Sequence, residues 1–341
     1  MKMQANAGHR PVRVVALGGG TGLSMVLRGL KRYVADAALP RDGQPIADLV
    51  AVVTVTDDGG SSGRLRREYK VLPPGDIRNC MVALSSDEDL LGKLFQYRFP
   101  LGRGLAGHSF GNLFVTALTN VTGDFPEAVR VSSSVLSIRG RIFPSTAQNV
   151  SLEAVLADGT RVSGETNISR SKRRIERIHL VPRRARPLPE VLEALRQADL
   201  ILVGPGSLYT SIIPNLLIDE VQEVIAHARA TRVYIANIMT QPGETDHYSV
   251  ADHLRAIYQH TRRNLFDCVV INRTHVTPRL LRRYRAQGAD PVEPSLEELD
   301  RMKIRHVSAD LVRQAGLIRH DQDRLAQLLL KNFVYRPGRR G

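Results

Sequence analysis

Short runs of consecutive apolar residues recur along the chain, and each is followed by a segment rich in glycine and polar residues. Apolar runs without alternation are typical of strands buried on both faces of a parallel sheet. The sequence predicts such strands at Val12 to Leu17, Leu49 to Val53, Asp199 to Val203, Arg232 to Asn237 and Cys268 to Asn272, and a further strand near Ile304 to Val307. Helical spacing follows the first run, at Leu23, Val26, Leu27 and Leu30. The pattern therefore predicts an α/β fold.

One stretch departs from this pattern. Between Asn149 and Val181, two short alternating runs flank an Asp158-Gly159 pair, which is typical of a β-hairpin. The sequence therefore predicts a small antiparallel β excursion at about residues 149–181, lying at an edge of the fold or a subunit contact. The arginines of Arg170 to Arg177 are predicted to be solvated rather than functional.

No internal repeat or low-complexity linker divides the chain, so residues 12–335 are predicted to form a single domain. Residues 1–11 and 336–341 are predicted to be disordered tails. Cys80 and Cys268 stand far apart, which excludes the usual zinc-ribbon spacings and argues against a disulfide framework. A cytoplasmic location is expected. No run of about 18 apolar residues exists, so no membrane span is expected.

The charge is unbalanced, with a formal net charge of +14. A basic balance favours anionic ligands or nucleic acid, although solvated surface arginines give the same number. The chain shows no aromatic stacking motif or recognisable nucleic-acid-binding module, so nucleic-acid binding is not expected.

The first strand runs into a glycine loop, Gly18-Gly19-Gly20-Thr21-Gly22, and then into a helix. A helix N-terminus after such a loop attracts anions, because backbone N–H groups and the helix dipole point the same way. The dinucleotide fingerprint would require glycine where Leu23 stands, and the P-loop would require Gly-Lys-Ser/Thr. The loop predicts a phosphate site or a close backbone approach, without either standard motif.

The second strand leads into Thr54 to Arg64, a predicted loop that carries two adjacent carboxylates, Asp57 and Asp58. They have three interpretations. They could contact the hydroxyl groups of a ribose or sugar, hold a divalent cation, or cap a turn.

Further polar segments begin helices. Asp76 is predicted to be a helix N-cap. Arg78 lies in the first helical turn, where a cation opposes the dipole, so it indicates an anionic partner. His108 lies between glycines at another helix start, in a segment with the spacing of a nucleophile elbow but no preceding apolar strand. No nucleophile–base pair is evident in the sequence.

The carboxyl ends of parallel strands meet at one edge of a sheet, where ligands bind. No catalytic residue is identified, and no metal ligand is predicted except Asp57 and Asp58 under a magnesium-dependent alternative. From the residues alone, Tyr284 and Arg319 rank below the loops. The predicted ligand-binding residues are Gly19, Gly20, Thr21, Gly22, Asp57, Asp58, Gly59, Gly60, Ser61, Ser62, Arg78, Asn79, His108, Ser109, Asn112, Gly204, Pro205, Gly206, Ser207, Ser211, Asn237, Gln241, Tyr284 and Arg319.

Six ordered motifs carry a family resemblance from about Val12 to Leu330. Together they resemble the gluconeogenesis factor branch (YvcK-like, UPF0052) of the family that includes 2-phospho-L-lactate transferase. The motifs are Ala16 to Ser24, Thr56 to Arg64, Pro73 to Asn79, Gly107 to Asn112, Gly204 to Ser211 and Met239 to Thr245.

The resemblance implies a Rossmann-like α/β fold and a cytoplasmic bacterial protein needed for normal cell shape and cell-wall synthesis during gluconeogenic growth. It implies UDP-N-acetylglucosamine as the ligand, with no certain cofactor, and it raises Tyr284 and Arg319 to ligand-binding candidates. A regulatory protein partner in cell-wall synthesis and a homo-oligomer are compatible with it.

The alternative is a Mg²⁺-dependent enzyme of the 2-phospho-L-lactate transferase type, acting with a nucleotide-activated donor. The transferase branch carries an acidic loop where this chain has Gly107 to Asn112. It carries a Gly-Pro-Ser-Asn-type loop where this chain has Gly204-Pro205-Gly206-Ser207. These departures favour a binding protein without turnover of its own.

Overall fold

The computed structural model describes residues 10–35, 45–86 and 90–335. The tail predicted for residues 1–11 lies outside the described residues as far as residue 9, and the tail at 336–341 lies wholly outside them. The strands are β1 (Val12–Gly18), β2 (Ile46–Val53), β3 (Arg141–Pro144), β4 (Ser151–Leu156), β5 (Arg161–Ser163), β6 (Ile175–Val181), β7 (Leu200–Val203), β8 (Thr231–Ile235), β9 (Cys268–Asn272), β10 (Arg305–Ala309), β11 (Val312–Ala315) and β12 (Leu317–His320).

The helices alternate with these strands. They are α1 (Gly20–Leu30), α2 (Gly60–Tyr69), α3 (Gly75–Leu84), α4 (Leu90–Gln96), α5 (Phe110–Thr122), α6 (Phe125–Val135), α7 (Glu165–Ser171), α8 (Pro189–Gln197), α9 (Ile213–Leu216), α10 (Val221–His227), α11 (Val250–Thr261), α12 (Pro278–Arg285), α13 (Leu296–Arg301) and α14 (Gln322–Leu329). Single π-helical turns stand at Leu208–Ile212 and Leu330–Val334. In the described part of the chain, no helix has the length and apolar character needed to cross a membrane.

The main sheet confirms the α/β prediction. Its strand order is β10-β9-β8-β7-β1-β2-β3, and every neighbouring pair is parallel. The central strands are buried along their length, since all four residues of β7 and the last five of β1 are inaccessible to solvent. The continuous apolar runs therefore form strands that are covered on both faces. This confirms the prediction made from the absence of alternating polar and apolar residues.

The strand order creates a crevice at one place. From β1 the chain moves outward to β2 and β3, and it then returns to the other side of β1 as β7 and continues outward to β10. The loops after β1 and β7 therefore leave the sheet in opposite directions. Open parallel sheets bind ligands at such a reversal, outside the carboxyl ends of the strands.

The antiparallel excursion is confirmed. Its sheet has the order β5-β4-β6, and Gly159 makes the hairpin turn with a φ of 82°. A second antiparallel pair, β11 and β12, was not predicted; it turns at Gly316, where φ is 77°. This hairpin brings the chain back towards the crevice.

Two local predictions were wrong. The segment from Thr54 to Arg64 is not one loop, because α2 begins at Gly60. Asp76 is not an N-cap: Pro74 holds the N-cap position of α3, and Asp76 is the second residue of the helix. Both errors concern carboxylate-bearing segments whose tertiary contacts override local propensity.

Candidate functional site

Two glycine loops meet at the crevice between β1 and β7. A Cβ built on Gly22 would lie 2.2 Å from the carbonyl oxygen of Pro205, so only glycine fits there. The second loop is fixed by Asn237: the Gly206 N–H donates to Asn237 Oδ1 at 3.0 Å, and Asn237 Nδ2 donates to the Gly206 carbonyl at 2.8 Å. Asn237 therefore positions the loop with both atoms of its amide.

A cleft of about 270 Å³ opens beside this contact. The predicted ligand-binding residues that line it are Thr21, Gly22, Pro205, Gly206, Ser207, Asn237, Gln241, Tyr284 and Arg319. Tyr284 comes from α12, and its hydroxyl accepts a hydrogen bond of 3.0 Å from the backbone N–H of Ile318. That bond holds β12, and with it Arg319, next to the cleft. Met25, Ile238, Met239, Ile318 and His320 complete the lining.

An adjoining cavity of about 650 Å³ lies between α1, α3, the end of α4 and the segment from β11 to the start of α14. Of the predicted residues, Thr21, Arg78, Asn79 and Arg319 line it. Arg78 Nη1 donates to Ser109 Oγ at 2.7 Å, and its Nη2 donates to Asn79 Oδ1 at 2.7 Å. Arg78 is buried, which lowers its pKa, and the charge of Arg98 lowers it further.

The other predicted residues line neither chamber. They are Gly19, Gly20, Asp57, Asp58, Gly59, Gly60, Ser61, Ser62, His108, Ser109, Asn112, Gly204 and Ser211. Some of them support the two glycine loops, and others hold α2, α5 and α7 in place. A Cβ on Gly19, for example, would lie 2.7 Å from Asp76 Oδ2.

The two adjacent carboxylates point to different partners. Asp57 Oδ1 accepts from the Gly59 N–H at 2.8 Å. Asp58 Oδ1 accepts from both the backbone N–H and the hydroxyl of Thr166, at 2.9 and 2.7 Å. Asp58 thus joins the end of β2 to the start of α7.

Buried acids lie close to one another near Asp57: Asp57 acts on Asp76 and Glu165, and Glu244 also acts on Glu165. Burial, followed by the charge of Asp57, raises the pKa of Asp76 to about 6, while a hydrogen bond from the Gly20 N–H opposes this rise. Burial raises the pKa of Glu165 to about 9, with further contributions from Asp57 and Asp76. Burial also raises the pKa of Glu244, although Ser207 and Ser169 donate hydrogen bonds to that carboxylate.

Sequence reasoning missed these acids. Asp76 and Glu244 stand inside two of the six motifs, which was the available signal. Glu165 and Thr166 lie in the excursion, where no residue was predicted to reach the site. In the structure, α7 brings Thr166 to Asp58, just beyond the carboxyl end of β2, and places Glu165 where the charge of Asp57 acts on it.

The transferase-type alternative implies a magnesium ion at Asp57 and Asp58. Asp57 Oδ1 accepts from the Gly59 N–H and Asp58 Oδ1 accepts from Thr166, so these two oxygens already have different partners. Within residues 10–35, 45–86 and 90–335, no group of three or more histidine, cysteine or acidic side chains is placed to hold a metal ion. Magnesium is typically bound by one or two carboxylates together with water and phosphate oxygens, so Asp57 and Asp58 would be its protein ligands under this alternative.

A hydroxyl–imidazole pair that the sequence did not reveal lies behind the acids. Ser61 Oγ and His108 Nδ1 are 2.9 Å apart, and Asn112 Nδ2 donates to the same hydroxyl at 3.1 Å. Ser61 and His108 are only 5% and 3% exposed. Burial and the charge of Arg64 lower the pKa of His108. This geometry joins α2 to α5 in the interior and leaves the hydroxyl without access to a ligand.

Comparisons with known proteins agree with this fold. A family model described as 2-phospho-L-lactate transferase CofD matches residues 14–312. A protein from Nostoc sp. (strain PCC 7120) is 48% identical over 326 residues, which cover 95% of this chain and 69% of that one. The gluconeogenesis factor of Bacillus subtilis (strain 168) is 46% identical over 324 residues, covering 95% of this chain and 98% of that one. A crystal structure of a UPF0052-family protein from Bacillus halodurans superposes with a TM-score of 0.88 at 41% identity, covering 95% of this chain and all of that one.

Proposed function

The chain belongs to the CofD family, with relatives named gluconeogenesis factor, and we propose from this premise that it is a regulatory protein that binds UDP-N-acetylglucosamine. We further propose that it acts in the cytoplasm in support of cell shape and cell-wall synthesis during gluconeogenic growth. The physiological part rests on family resemblance. The ligand class rests on the site.

One observation carries the ligand class: a single cleft joins two glycine loops, a tyrosine and an arginine at the reversal of strand order. A nucleotide sugar offers a diphosphate, which suits a glycine loop at a helix N-terminus and a guanidinium. Because the Gly20 N–H already donates to Asp76, the diphosphate would approach the face of α1 that carries Thr21 and Gly22. Arg319, which is exposed, can reach the same phosphates.

The remainder of the ligand needs apolar and hydrogen-bonding surface. The Tyr284 ring, together with Ile238 and Ile318, offers an apolar wall for a base or sugar face. Ser207 and Gln241 offer polar atoms for hydroxyl groups. Such a mixture, mostly neutral with a few placed polar groups, is typical of small-molecule sites.

Titration of UDP-N-acetylglucosamine by calorimetry tests the proposal. We expect saturable binding to the native chain, and a loss of about tenfold or more in affinity in Arg319→Gln, because a charged hydrogen bond to phosphate disappears. Tyr284→Phe keeps the ring but not the hydroxyl that accepts from Ile318, so a smaller loss is expected. Arg229→Gln, an exposed arginine preceding β8 at the amino end of the sheet, is the matched control and should bind normally. No heat at millimolar ligand would refute the proposal.

The second candidate is a transferase of the 2-phospho-L-lactate type, favoured by the family model that matches residues 14–312. It predicts Mg²⁺-dependent turnover of a GTP-activated phospholactate donor that disappears in Asp57→Asn. If the protein turns over none of a panel of nucleotide-activated donors but still binds the nucleotide sugar, the result would support the binding protein over the transferase.

A further inference from the structure

Five arginines line the 650 Å³ cavity that adjoins the cleft. They come from four separate parts of the chain: α1, α3, the segment after α4, and the β11–β12 hairpin. They are Arg28, Arg78, Arg98, Arg313 and Arg319. The topology thus gathers like charges that repel one another, which costs free energy unless an anion compensates them.

None of the five arginines forms an ion pair with any carboxylate among the described residues. Two acids line the same cavity, but both have partners elsewhere. Asp321 caps α14 by accepting from the backbone N–H groups of Asp323 and Arg324, at 3.0 and 3.1 Å. Asp323 pairs with Arg32 at 2.8 Å.

Arg78 is the most informative of the five. The residue is 9% exposed, and its buried Nε has no hydrogen-bond partner within the described part of the chain. Its other nitrogens bond only to the neutral oxygens of Ser109 and Asn79. The charges of Asp76 and Asp57 act on this guanidinium, but neither carboxylate forms an ion pair with it, so a buried donor remains for an anionic ligand in the cavity. Arg28 lines the same cavity, and its buried Nε also has no hydrogen-bond partner among the described residues.

The cavity and the nucleotide-sugar cleft are neighbouring chambers with a shared wall. The wall consists of Thr21 and Met25 on α1 and of Arg319 and His320 at β12. The glycine loops line the cleft but not the cavity, except for Thr21, whereas Arg78 and Arg98 line the cavity alone. The diphosphate of one nucleotide sugar is served by the loops and Arg319. The other four arginines form no ion pair with a described carboxylate, although the charges of Asp76 and Asp57 act on Arg78.

We propose that this cavity is a second ligand site, which binds a small phosphorylated metabolite through its phosphate group beside the nucleotide sugar. Arg319 lines both chambers, so it couples them: a phosphate in the cavity fixes the guanidinium that the cleft also uses. Binding at one site therefore changes affinity at the other, and equally in both directions.

The test uses inorganic phosphate and glycerol 3-phosphate as probes, titrated by calorimetry into the full chain at constant ionic strength. We expect saturable binding in the native protein, both without and with saturating UDP-N-acetylglucosamine. Arg313→Gln and Arg98→Gln change exposed side chains and should weaken phosphate binding by about tenfold or more, while binding of the nucleotide sugar persists. Arg319→Gln should weaken both ligands, and Arg229→Gln neither.

Three results would overturn the second site. These are no saturable binding of either probe, equal binding in native protein and Arg313→Gln, or simple competition between phosphate and UDP-N-acetylglucosamine. Competition would mean that one ligand fills both chambers. If phosphate binds in an Arg313-dependent manner but the nucleotide sugar does not bind at all, the second site stands and the proposed function fails.

Discussion

Gly22→Ala is expected to lower the free energy of unfolding by about 3 kcal/mol and to reduce binding of UDP-N-acetylglucosamine by about a hundredfold or more. The added Cβ would lie 2.2 Å from the carbonyl oxygen of Pro205 and 2.7 Å from its carbonyl carbon. Both atoms belong to backbone, so no side-chain rotation relieves the clash. Either α1 or the second glycine loop must shift, and each forms one side of the cleft. Urea unfolding and calorimetry measure the two effects.

Gly206→Ala is the matched control, because it stands on the opposite side of the same contact. Its Cβ would lie 3.6 Å from Ser211 Cβ and 3.7 Å from the Gly19 carbonyl oxygen, which are ordinary contacts. A change in stability of less than about 1 kcal/mol is expected. If Gly22→Ala were as stable as Gly206→Ala and bound the nucleotide sugar normally, the close loop contact would not shape the site.

The parallel sheet could be predicted from the sequence because its strands are continuous apolar runs. Burial on both faces removes the need for alternation, so β1, β2, β7, β8 and β9 stand out from the polar loops that follow them. The Asp158-Gly159 pair likewise revealed the excursion, because the turn needs a residue with positive φ and Gly159 adopts a φ of 82° there. Both signals come from residues that are adjacent in sequence, and the structure confirms the strands and the hairpin that they predicted.

The start of α2 could not be predicted in this way. Its first residues, Gly-Ser-Ser-Gly, have poor helix propensity, and their helical conformation depends on partners that are distant in sequence. Ser61 is held by His108 and Asn112 from the segment that starts α5. Asp76 was mistaken for a cap because its true partner, the Gly20 N–H, belongs to another helix.

The candidate site was predictable in its loops but not in its lining. Glycine-rich segments after strands can be identified in the sequence. Only the folded chain shows that Thr166, 108 positions away, bonds to Asp58. The arginine cavity was equally hidden, because five arginines from four segments look like scattered surface charge until the fold assembles them. The basic net charge had two interpretations, and this cavity supplies a physical reason for the anionic one.

Glu165→Gln is expected to stabilise the protein at pH 8, by on the order of 2 kcal/mol, and by much less at pH 5. Burial together with Asp57, Asp76, Glu244 and Asp58 raises the pKa of Glu165 to about 9. The pKa of this carboxyl is higher in the native state than its unfolded value of about 4.5. Its contribution to stability is therefore fully present below pH 4.5 and is lost progressively as the pH rises towards 9. Glutamine imitates the protonated form at every pH, so the variant should lose less stability between pH 5 and pH 8.

Urea unfolding of both proteins at pH 5, 6.5 and 8 measures the difference. Glu297→Gln is the control, because that side chain is 91% exposed and its 3.6 Å pair with Arg301 should contribute little at any pH. An equal gain at pH 5 and pH 8 would mean that Glu165→Gln improves packing rather than removing a buried charge. A loss of stability at pH 8 would mean that the ionised carboxylate has a favourable native partner. The negative charges of the acids near Asp57 would then be balanced by that partner rather than destabilising the native state.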